Sequence, residues 1–225
     1  DCLLSRGLGD VYKRQVYALL GAVEWGYEED GATLLAHLEK IVQYNVQSSE
    51  KEKFDGVMLD IEPYISDSWK ENPEEYMDRY ISCMKKGYKF AQKNHLRTAI
   101  CIPRHYDNQG LTSGLEELIK ETCDEVAVMN YSCGNEIEAI RTEAALSEKY
   151  GKELHCILEF QEVGKHGLTE NKTYRNKGID NAKETWEKLQ KEYKNINVTR
   201  DYHWSRPVRA VSYTHLRAHE TRGNL

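Results

Sequence analysis

The segment FDGVMLDIEP, at residues 54–63, decides both the fold class and the candidate chemistry of this chain. Two sets of side chains alternate along it. The apolar set is Val57, Leu59 and Ile61, and the mostly polar set is Met58, Asp60 and Glu62. Because a strand has a side-chain period of two, this alternation predicts a strand over residues 54–62 with both carboxylates on one face. Pro63 cannot continue a central ladder, so Glu62 is predicted at the carboxyl end of the strand. Two acids at the end of a buried strand are costly unless they do chemistry or bind something.

Strand-like and helix-like segments alternate along the rest of the chain. The predicted strands cover residues 16–24, 54–62, 97–102, 125–131, 154–160 and 196–204. The predicted helices cover residues 33–46, 73–93, 113–122, 136–150 and 181–193. This order predicts an α/β fold with a parallel sheet covered by helices. A doubly wound sheet would need a Gly-rich phosphate loop after its first strand, and that loop is missing. We therefore expect an incomplete (β/α)8 TIM-type barrel, with strands three to eight visible and the first two missing.

Both ends of the chain are expected to be foreign to the gene. The segments SRGLGDVYKRQ (5–15) and VSYTHLRAHE (211–220) can be encoded by opposite strands of one DNA string, which resembles a transposase-type sequencing adapter. Two unrelated protein segments would not share one DNA string by chance. The expected organisation is therefore an adapter-derived tail at 1–15, a partial barrel domain at 16–210 and a second tail at 211–225.

Charge and composition exclude several classes of partner. Each tail carries one net positive charge, so residues 16–210 stand at −8, against −6 for the whole chain. An acidic chain without a basic run argues against nucleic acid and anionic membranes, and no apolar run is long enough to span a bilayer. The sequence indicates no cofactor and no metal site, since His155 and His203 lack metal-ligand spacing. With Cys2 of the tail set aside, residues 16–210 hold five of the six cysteines, an odd number without a CxxC pair. This predicts reduced, buried thiols at Cys83, Cys101, Cys123, Cys133 and Cys156.

Three patches of sequence resemble one enzyme family. DGVMLDIEP is similar to the DGxDxDxE signature of family 18 glycoside hydrolases, the chitinase-like (β/α)8 barrels, in which the motif ends the fourth strand. The segment VMNY at 128–131 looks like that family's Met-x-Tyr on the sixth strand. Trp204 stands where a tryptophan often closes the eighth strand. Most of residues 16–210 match the family in element order.

The resemblance implies a role for each matching residue, with a carbohydrate as the substrate. Glu62 would be the general acid that protonates the leaving oxygen. Asp60 would orient the substrate's acetamido group, which itself attacks the anomeric carbon. Tyr131 would hydrogen-bond that group, and Trp204 would form the floor beneath the sugar ring. Repulsion between two carboxylates on one face also favours keeping one of them protonated, as a general acid requires.

Two positions depart from the family pattern. Met58 stands where the family has the Asp that helps to cycle the proton of its neighbour, and Ser132 follows Tyr131 where the family usually has Asp. These changes weaken the case for efficient chitinase-type chemistry. They make a catalytically inactive, chitinase-like carbohydrate-binding barrel an open alternative. A third class of function, in which the acid pair holds a divalent metal, also stays open.

A two-carboxylate mechanism is the other enzymatic alternative. Glu159 closes the predicted strand three strands after the one that carries Glu62. Retaining hydrolases of clan A place the acid/base on strand four and the nucleophile on strand seven, and Glu62-Pro63 resembles their acid/base motif. Ile61 stands where that clan has Asn. Carboxyl groups at roughly 5 Å would permit double displacement. Glu24 is a weaker third acid at the end of the first visible strand.

Further candidates lie near the predicted strand ends, and each has a structural alternative. Met129, Arg104 and His105 are candidate substrate contacts, together with Trp204 and Glu24. The Asp60 and Glu62 carboxylates could instead cap a helix or pair with Arg104, and Glu159 could also pair with Arg104. Tyr131 and Met129 could fill the core, and Trp204 could pack on a helix.

Overall fold

The computed structural model describes residues 15–211, and the expected tails at 1–15 and 211–225 lie almost wholly outside that range. The predicted α/β class is confirmed, because six parallel strands alternate with helices along the chain. The strands are β1 Tyr17–Leu20, β2 Gly56–Leu59, β3 Arg97–Pro103, β4 Glu125–Met129, β5 Glu153–Leu158 and β6 Val198–Tyr202. Within the described residues no helix is long and apolar enough to cross a bilayer.

Seven α-helices are described between the strands. They are α1 Ala32–Gln47, α2 Asp67–Glu71, α3 Pro73–Lys93, α4 Thr112–Glu121, α5 Glu136–Ala139, α6 Arg141–Tyr150 and α7 Ile179–Glu192. The short α2 was not predicted. The single helix predicted over 136–150 is wrong, because the backbone leaves helical geometry at Ile140, where φ is −123° and ψ is 19°. Gly151 ends α6 in the left-handed region at φ 63°, as a glycine at this position permits.

The first strand is shorter than predicted, for a steric reason. The predicted strand ran to Glu24, but β1 ends at Leu20 and a 3-10 helix covers Val23–Tyr27. A Cβ on Gly21 would lie 1.9 Å from the carbonyl oxygen of Asp60, so only glycine allows these two backbones to approach each other. Glu24 therefore belongs to the 3-10 helix, where it is exposed.

The chain divides into two compact units. The first unit is Asp1–Ile102 with Tyr106–Val126, and the second is Pro103–His105 with Ala127–Leu225. In the first unit β1, β2 and β3 are parallel neighbours, with Gly56 opposite both Tyr17 and Arg97. In the second unit β5 and β6 pair in parallel, with Leu154 opposite Val198. Strand β4 begins in the first unit and ends in the second.

The core of the first unit lies between its sheet and its helices. Leu34 and Leu38 of α1 are fully buried, as are Tyr80 and Met84 of α3. Helix α3 begins with Asn72 as its N-cap, whose side-chain oxygen accepts a hydrogen bond from the Glu75 amide. Burial of these apolar side chains is the main stabilising contribution to such a layer.

A polar network closes the amino-terminal ends of the first unit's strands. The Glu125 carboxylate is 2% exposed and accepts hydrogen bonds from Arg97 Nε at 2.6 Å and from the Tyr17 hydroxyl at 2.5 Å. Burial and the adjacent Glu125 raise the pKa of Tyr17, so its hydroxyl keeps the proton that it donates. The network lies at the end of the strands opposite to Asp60 and Glu62, and we assign it to stability.

The second unit is held by contacts between α7 and the strand β5. The Trp186 indole donates a hydrogen bond to the Cys156 carbonyl at 3.0 Å. Further along, the Tyr193 hydroxyl donates to the Ile137 carbonyl at 2.6 Å, which ties the end of α7 to α5. These contacts fix the layer from which the β5 and β6 loops project.

The five cysteines within residues 16–210 are free thiols, and four of them are buried, namely Cys83, Cys101, Cys123 and Cys156. Cys133 is half-buried. Burial raises the pKa of Cys133 to about 11 and that of Cys83 to about 12. The four buried thiols act as small apolar side chains, as predicted, whereas burial was wrongly predicted for Cys133.

Candidate functional site

The two carboxylates of the decisive segment follow β2 directly. The strand ends at Leu59, three residues earlier than predicted, although the Asp60 amide extends the ladder with a hydrogen bond to the Leu20 carbonyl at 2.8 Å. Pro63 then begins a 3-10 helix with Glu62 at its N-cap position. The two alternating sets differ in burial as predicted: Val57, Leu59 and Ile61 are buried, whereas Met58, Asp60 and Glu62 are half-buried.

A tyrosine hydroxyl holds Glu62. The Tyr64 hydroxyl donates a hydrogen bond to Glu62 Oε1. Burial raises the pKa of Tyr64, and the hydrogen bond to Glu62 raises it further, so Tyr64 stays protonated and keeps donating. The Glu62 side chain makes no cap hydrogen bond to the 3-10 helix that follows it.

Aromatic rings form one side of this carboxylate site. The Tyr106 ring is fully buried and lies edge-on to the Tyr64 ring, with 5.9 Å between centroids. The Trp69 ring lies 5.6 Å from the same Tyr106 ring. Burial raises the pKa of Tyr106, and the nearby charge of Glu62 raises it further. These rings pack around Tyr64, whose hydroxyl is a fixed hydrogen-bond donor to Glu62.

Sequence reasoning missed the tyrosines of this site. Tyr64 lies two residues after Glu62, beyond the proline at which the strand was expected to end. Tyr106 lies in the loop after β3, and nothing in a single sequence connects that loop to β2. The spacing Glu-Pro-Tyr was the one available signal, since a tyrosine one turn beyond a strand-end acid can fold back onto it. Glu24, the third candidate acid, is exposed.

The second unit contains a different carboxylate environment around Glu159. This side chain follows β5 and is 2% exposed. Its Oε1 accepts the amides of Phe160 at 2.7 Å and Gln161 at 2.8 Å, and its Oε2 accepts the Gln161 side-chain amide at 3.1 Å. His203 Nδ1 lies 2.7 Å from the same Oε2. Burial alone would raise the pKa of Glu159, but the hydrogen bonds from His203 and Gln161 outweigh it and lower that pKa below its ordinary value.

His203 connects Glu159 to other candidates. Its amide donates to the Leu158 carbonyl at 3.1 Å, which places it directly after β6. Its ring lies 6.0 Å from the Tyr131 ring, at an interplanar angle of 32°. Tyr131 and Met129 are both half-buried. The sequence placed His203 inside the predicted strand 196–204 and excluded it as a metal ligand, so no sequence signal connected it to Glu159.

Trp204 and the residues after β3 complete the predicted set. The Trp204 side chain is 48% exposed, and the Arg206 guanidinium lies over its ring at 5.8 Å from the centroid. Arg104 and His105 are half-buried. Within residues 15–211 Arg104 makes no hydrogen bond or ion pair. The alternative in which Glu159 pairs with Arg104 is therefore wrong, because the partner of Glu159 is His203.

A cleft of about 570 Å³ between α5 and α7 was not anticipated from the sequence. At one end the buried Glu136 carboxylate accepts hydrogen bonds from the Gly134 amide at 2.9 Å and from the Tyr174 hydroxyl. Tyr174 also contacts the Thr185 hydroxyl at 2.7 Å. None of the residues predicted at strand ends lines this cleft, so we treat it as separate from the candidate site.

No protein-family model matches this sequence, and no curated protein matches it significantly. Among solved structures, distant similarity is found to TIM-barrel proteins. One is dihydropteroate synthase from Anaplasma phagocytophilum, at 12% identity and a TM-score of 0.49, covering 83% of this chain and 62% of that one. Another is catalytic domain 2 of the group II chitinase of Ostrinia furnacalis, at 13% identity and a TM-score of 0.43, covering 75% and 52%. The chain thus spans less than two thirds of the length of these structures, and TM-scores below 0.5 establish neither a shared fold nor a shared function.

Proposed function

We propose that this protein is a glycoside hydrolase in which Glu62 is the general acid. The observation that carries the proposal is the placement of Glu62: it is half-buried directly after a parallel strand, beside Asp60, and held by the Tyr64 hydroxyl. Strand ends of this kind carry the catalytic groups in α/β barrels.

In the proposed reaction Glu62 donates its proton to the leaving oxygen as the glycosidic bond breaks. Asp60, on the same face of the segment, orients the group that attacks the anomeric carbon. On N-acetylated sugars that group is the substrate's own acetamido oxygen, which removes the need for a second enzyme carboxylate. Tyr64 then hydrogen-bonds the Glu62 carboxylate that remains. Met58, which is half-buried on the same face, adds no acid to this exchange.

A second candidate mechanism uses Glu159, and one feature of its environment, the lowered pKa, favours it. Its lowered pKa keeps it ionised at neutral pH, which a nucleophilic carboxylate requires. Four hydrogen bonds spread that negative charge, however, and a carboxylate so occupied is a weak nucleophile. We therefore place the retaining two-carboxylate mechanism, with Glu62 as acid/base and Glu159 as nucleophile, second.

The test is turnover of aryl β-glycosides with and without an N-acetyl group. The native chain would be compared with Glu62→Gln, Glu159→Gln and the matched control Glu71→Gln, an exposed residue of α2. The proposal expects N-acetyl substrates alone to react, with a loss of at least about a hundredfold in Glu62→Gln and none in the control. Turnover of plain glycosides that disappears in both Glu62→Gln and Glu159→Gln would favour the second mechanism. Sugar binding without turnover, unchanged in Glu62→Gln, would make this a carbohydrate-binding protein and refute the catalytic role.

A further inference from the structure

A small basic cleft lies beside Trp204 in the second unit. It measures about 190 Å³ and opens to solvent. Its wall comes from the loop after β5 and from the segment that follows β6, and the residues that matter here are Gln161, Glu162, Lys165, Arg175, Trp204 and Arg206. None of them was singled out by sequence reasoning except Trp204.

The cleft has an excess of positive charge. The cleft contains three cationic side chains and one carboxylate. That carboxylate, Glu162, lies 3.4 Å from Arg175 and 3.9 Å from Lys165. Arg206 makes no hydrogen bond or ion pair within residues 15–211, and its contact is with the Trp204 ring. One carboxylate balances one of the three cations, which leaves a local surplus of two positive charges. The chain as a whole has a net charge of −6, so the cleft is positively charged in a negatively charged protein.

The chemistry of the cleft fits an oxyanion. A guanidinium presents planar pairs of N–H donors that match the two oxygens of a carboxylate or sulfate, and it is weakly hydrated, so it binds such groups well. Arg206 lies over an aromatic ring and Arg175 is 25% exposed, so both guanidinium groups are partly ordered before any ligand arrives. An anion entering between them would gain two charge-assisted contacts.

The neighbours of the cleft connect it to the candidate site. Trp204 offers a half-exposed ring against which a sugar can stack. Gln161 lines the cleft and also donates to Glu159, so the cleft adjoins the carboxylate that follows β5. A volume of about 190 Å³ holds an acidic group with part of one ring and is too small for a whole oligosaccharide.

We propose that this cleft is a subsite for the acidic group of an anionic sugar, a carboxylate or a sulfate ester, with Arg175 and Arg206 as its anchors. The anion-binding part stands on the charges of the cleft alone. The sugar part rests on the proposed function and narrows its substrate to acidic carbohydrates. Lys165 adds long-range attraction, and Glu162 keeps Arg175 in place while the site is empty of ligand.

The experiment measures the affinity of the full chain for three single sugars by calorimetry: methyl glucuronide, glucose 6-sulfate and neutral methyl glucoside. The proposal expects at least one acidic sugar to bind about tenfold or more tightly than the neutral one, with the preference weakening as salt rises. Arg206→Gln and Arg175→Gln should each remove the preference. Arg200→Gln, which changes an exposed residue of β6, is the matched control and should leave it unchanged. Circular dichroism shows whether each variant has folded.

Each result decides one point. A carboxylate preference over sulfate identifies a uronic acid, and the reverse identifies a sulfated sugar. Equal affinity for all three sugars, absence of binding, or a preference that survives both arginine substitutions overturns the proposal. Acidic sugars that bind without hydrolysis on any glycoside would refute the proposed function and leave this inference standing. Hydrolysis of neutral substrates without a preference for acidic sugars would support the proposed function and refute this inference.

Discussion

Truncation of Glu159 should destabilise the second unit by an amount that follows from its four hydrogen bonds. Glu159→Ala would leave the buried amides of Phe160 and Gln161 without their acceptor. Each unsatisfied buried donor costs about 1–3 kcal/mol, and the contact with His203 adds less because that side chain is 47% exposed. We expect Glu159→Ala to lower the free energy of unfolding by about 3–5 kcal/mol. Glu159→Gln keeps one oxygen for the two amides and should cost about 1–2 kcal/mol.

The same side chain gives the stability a defined pH dependence. Because the pKa of Glu159 is lowered in the folded state, the ionised carboxylate stabilises the protein above its unfolded pKa, and that contribution is lost as pH falls through the folded pKa. The gap between the native chain and Glu159→Gln should therefore be constant near neutral pH and narrow below about pH 4.

Urea denaturation across this pH range measures both effects, with Glu187→Gln, an exposed residue of α7, as the control. The slope of unfolding free energy against urea should stay unchanged, so that a shift in midpoint reports stability. A loss below about 1 kcal/mol in Glu159→Ala would refute the hydrogen-bond argument. A gap that stays constant down to pH 3 would show that Glu159 carries no lowered pKa.

Substitutions at three positions test the stability of the first unit. Gly21→Ala should lower the free energy of unfolding by about 2–3 kcal/mol, because the added Cβ would lie 1.9 Å from the Asp60 carbonyl oxygen. An unchanged melting temperature in thermal unfolding would contradict this close approach. Asn72→Ala should cost about 1 kcal/mol by removing the cap of α3, whereas Asn72→Asp should be nearly neutral in the same assay. Glu125→Ala should cost about 1–2 kcal/mol, since it leaves the Tyr17 hydroxyl and the 41% exposed Arg97 without their acceptor, and an unchanged urea midpoint would contradict this.

The fold class followed from the sequence because its signals are local. Alternation in residues 54–63 and the βα order need no knowledge of tertiary contacts, and both are present in the structure. The ends of elements were less accurate. Strand β1 was predicted to extend to Glu24, because a single sequence does not show that Gly21 lies against the Asp60 backbone. These two residues are remote along the chain. The break at Ile140 was missed because residues 136–150 keep a continuous helical composition.

The candidate site was predictable in its acids and not in their partners. Asp60, Glu62 and Glu159 were identified because carboxylates at the ends of apolar strands are unusual enough to be noticed. The tyrosines around Glu62 and the histidine beside Glu159 come from loops, whose paths depend on tertiary packing. Arg104 was predicted as a substrate contact, with pairing to an acid as the alternative because its charge suits one, but charge alone does not set distance. The roles of all these residues stay predictions until the assays above are done.

The rate at which the buried thiols react with a labelling reagent can report local opening of this protein. With a pKa of about 11, Cys133 has roughly one thiolate per thousand molecules at pH 8, and the fully buried thiols such as Cys156 are shielded as well. A thiol reagent will therefore modify the native state slowly and label each cysteine at the rate at which its surroundings open. Cys83 and Cys101 report on the first unit, while Cys133 and Cys156 report on the second. Mass spectrometry of labelled peptides would thus time the local opening of each unit without an introduced cysteine.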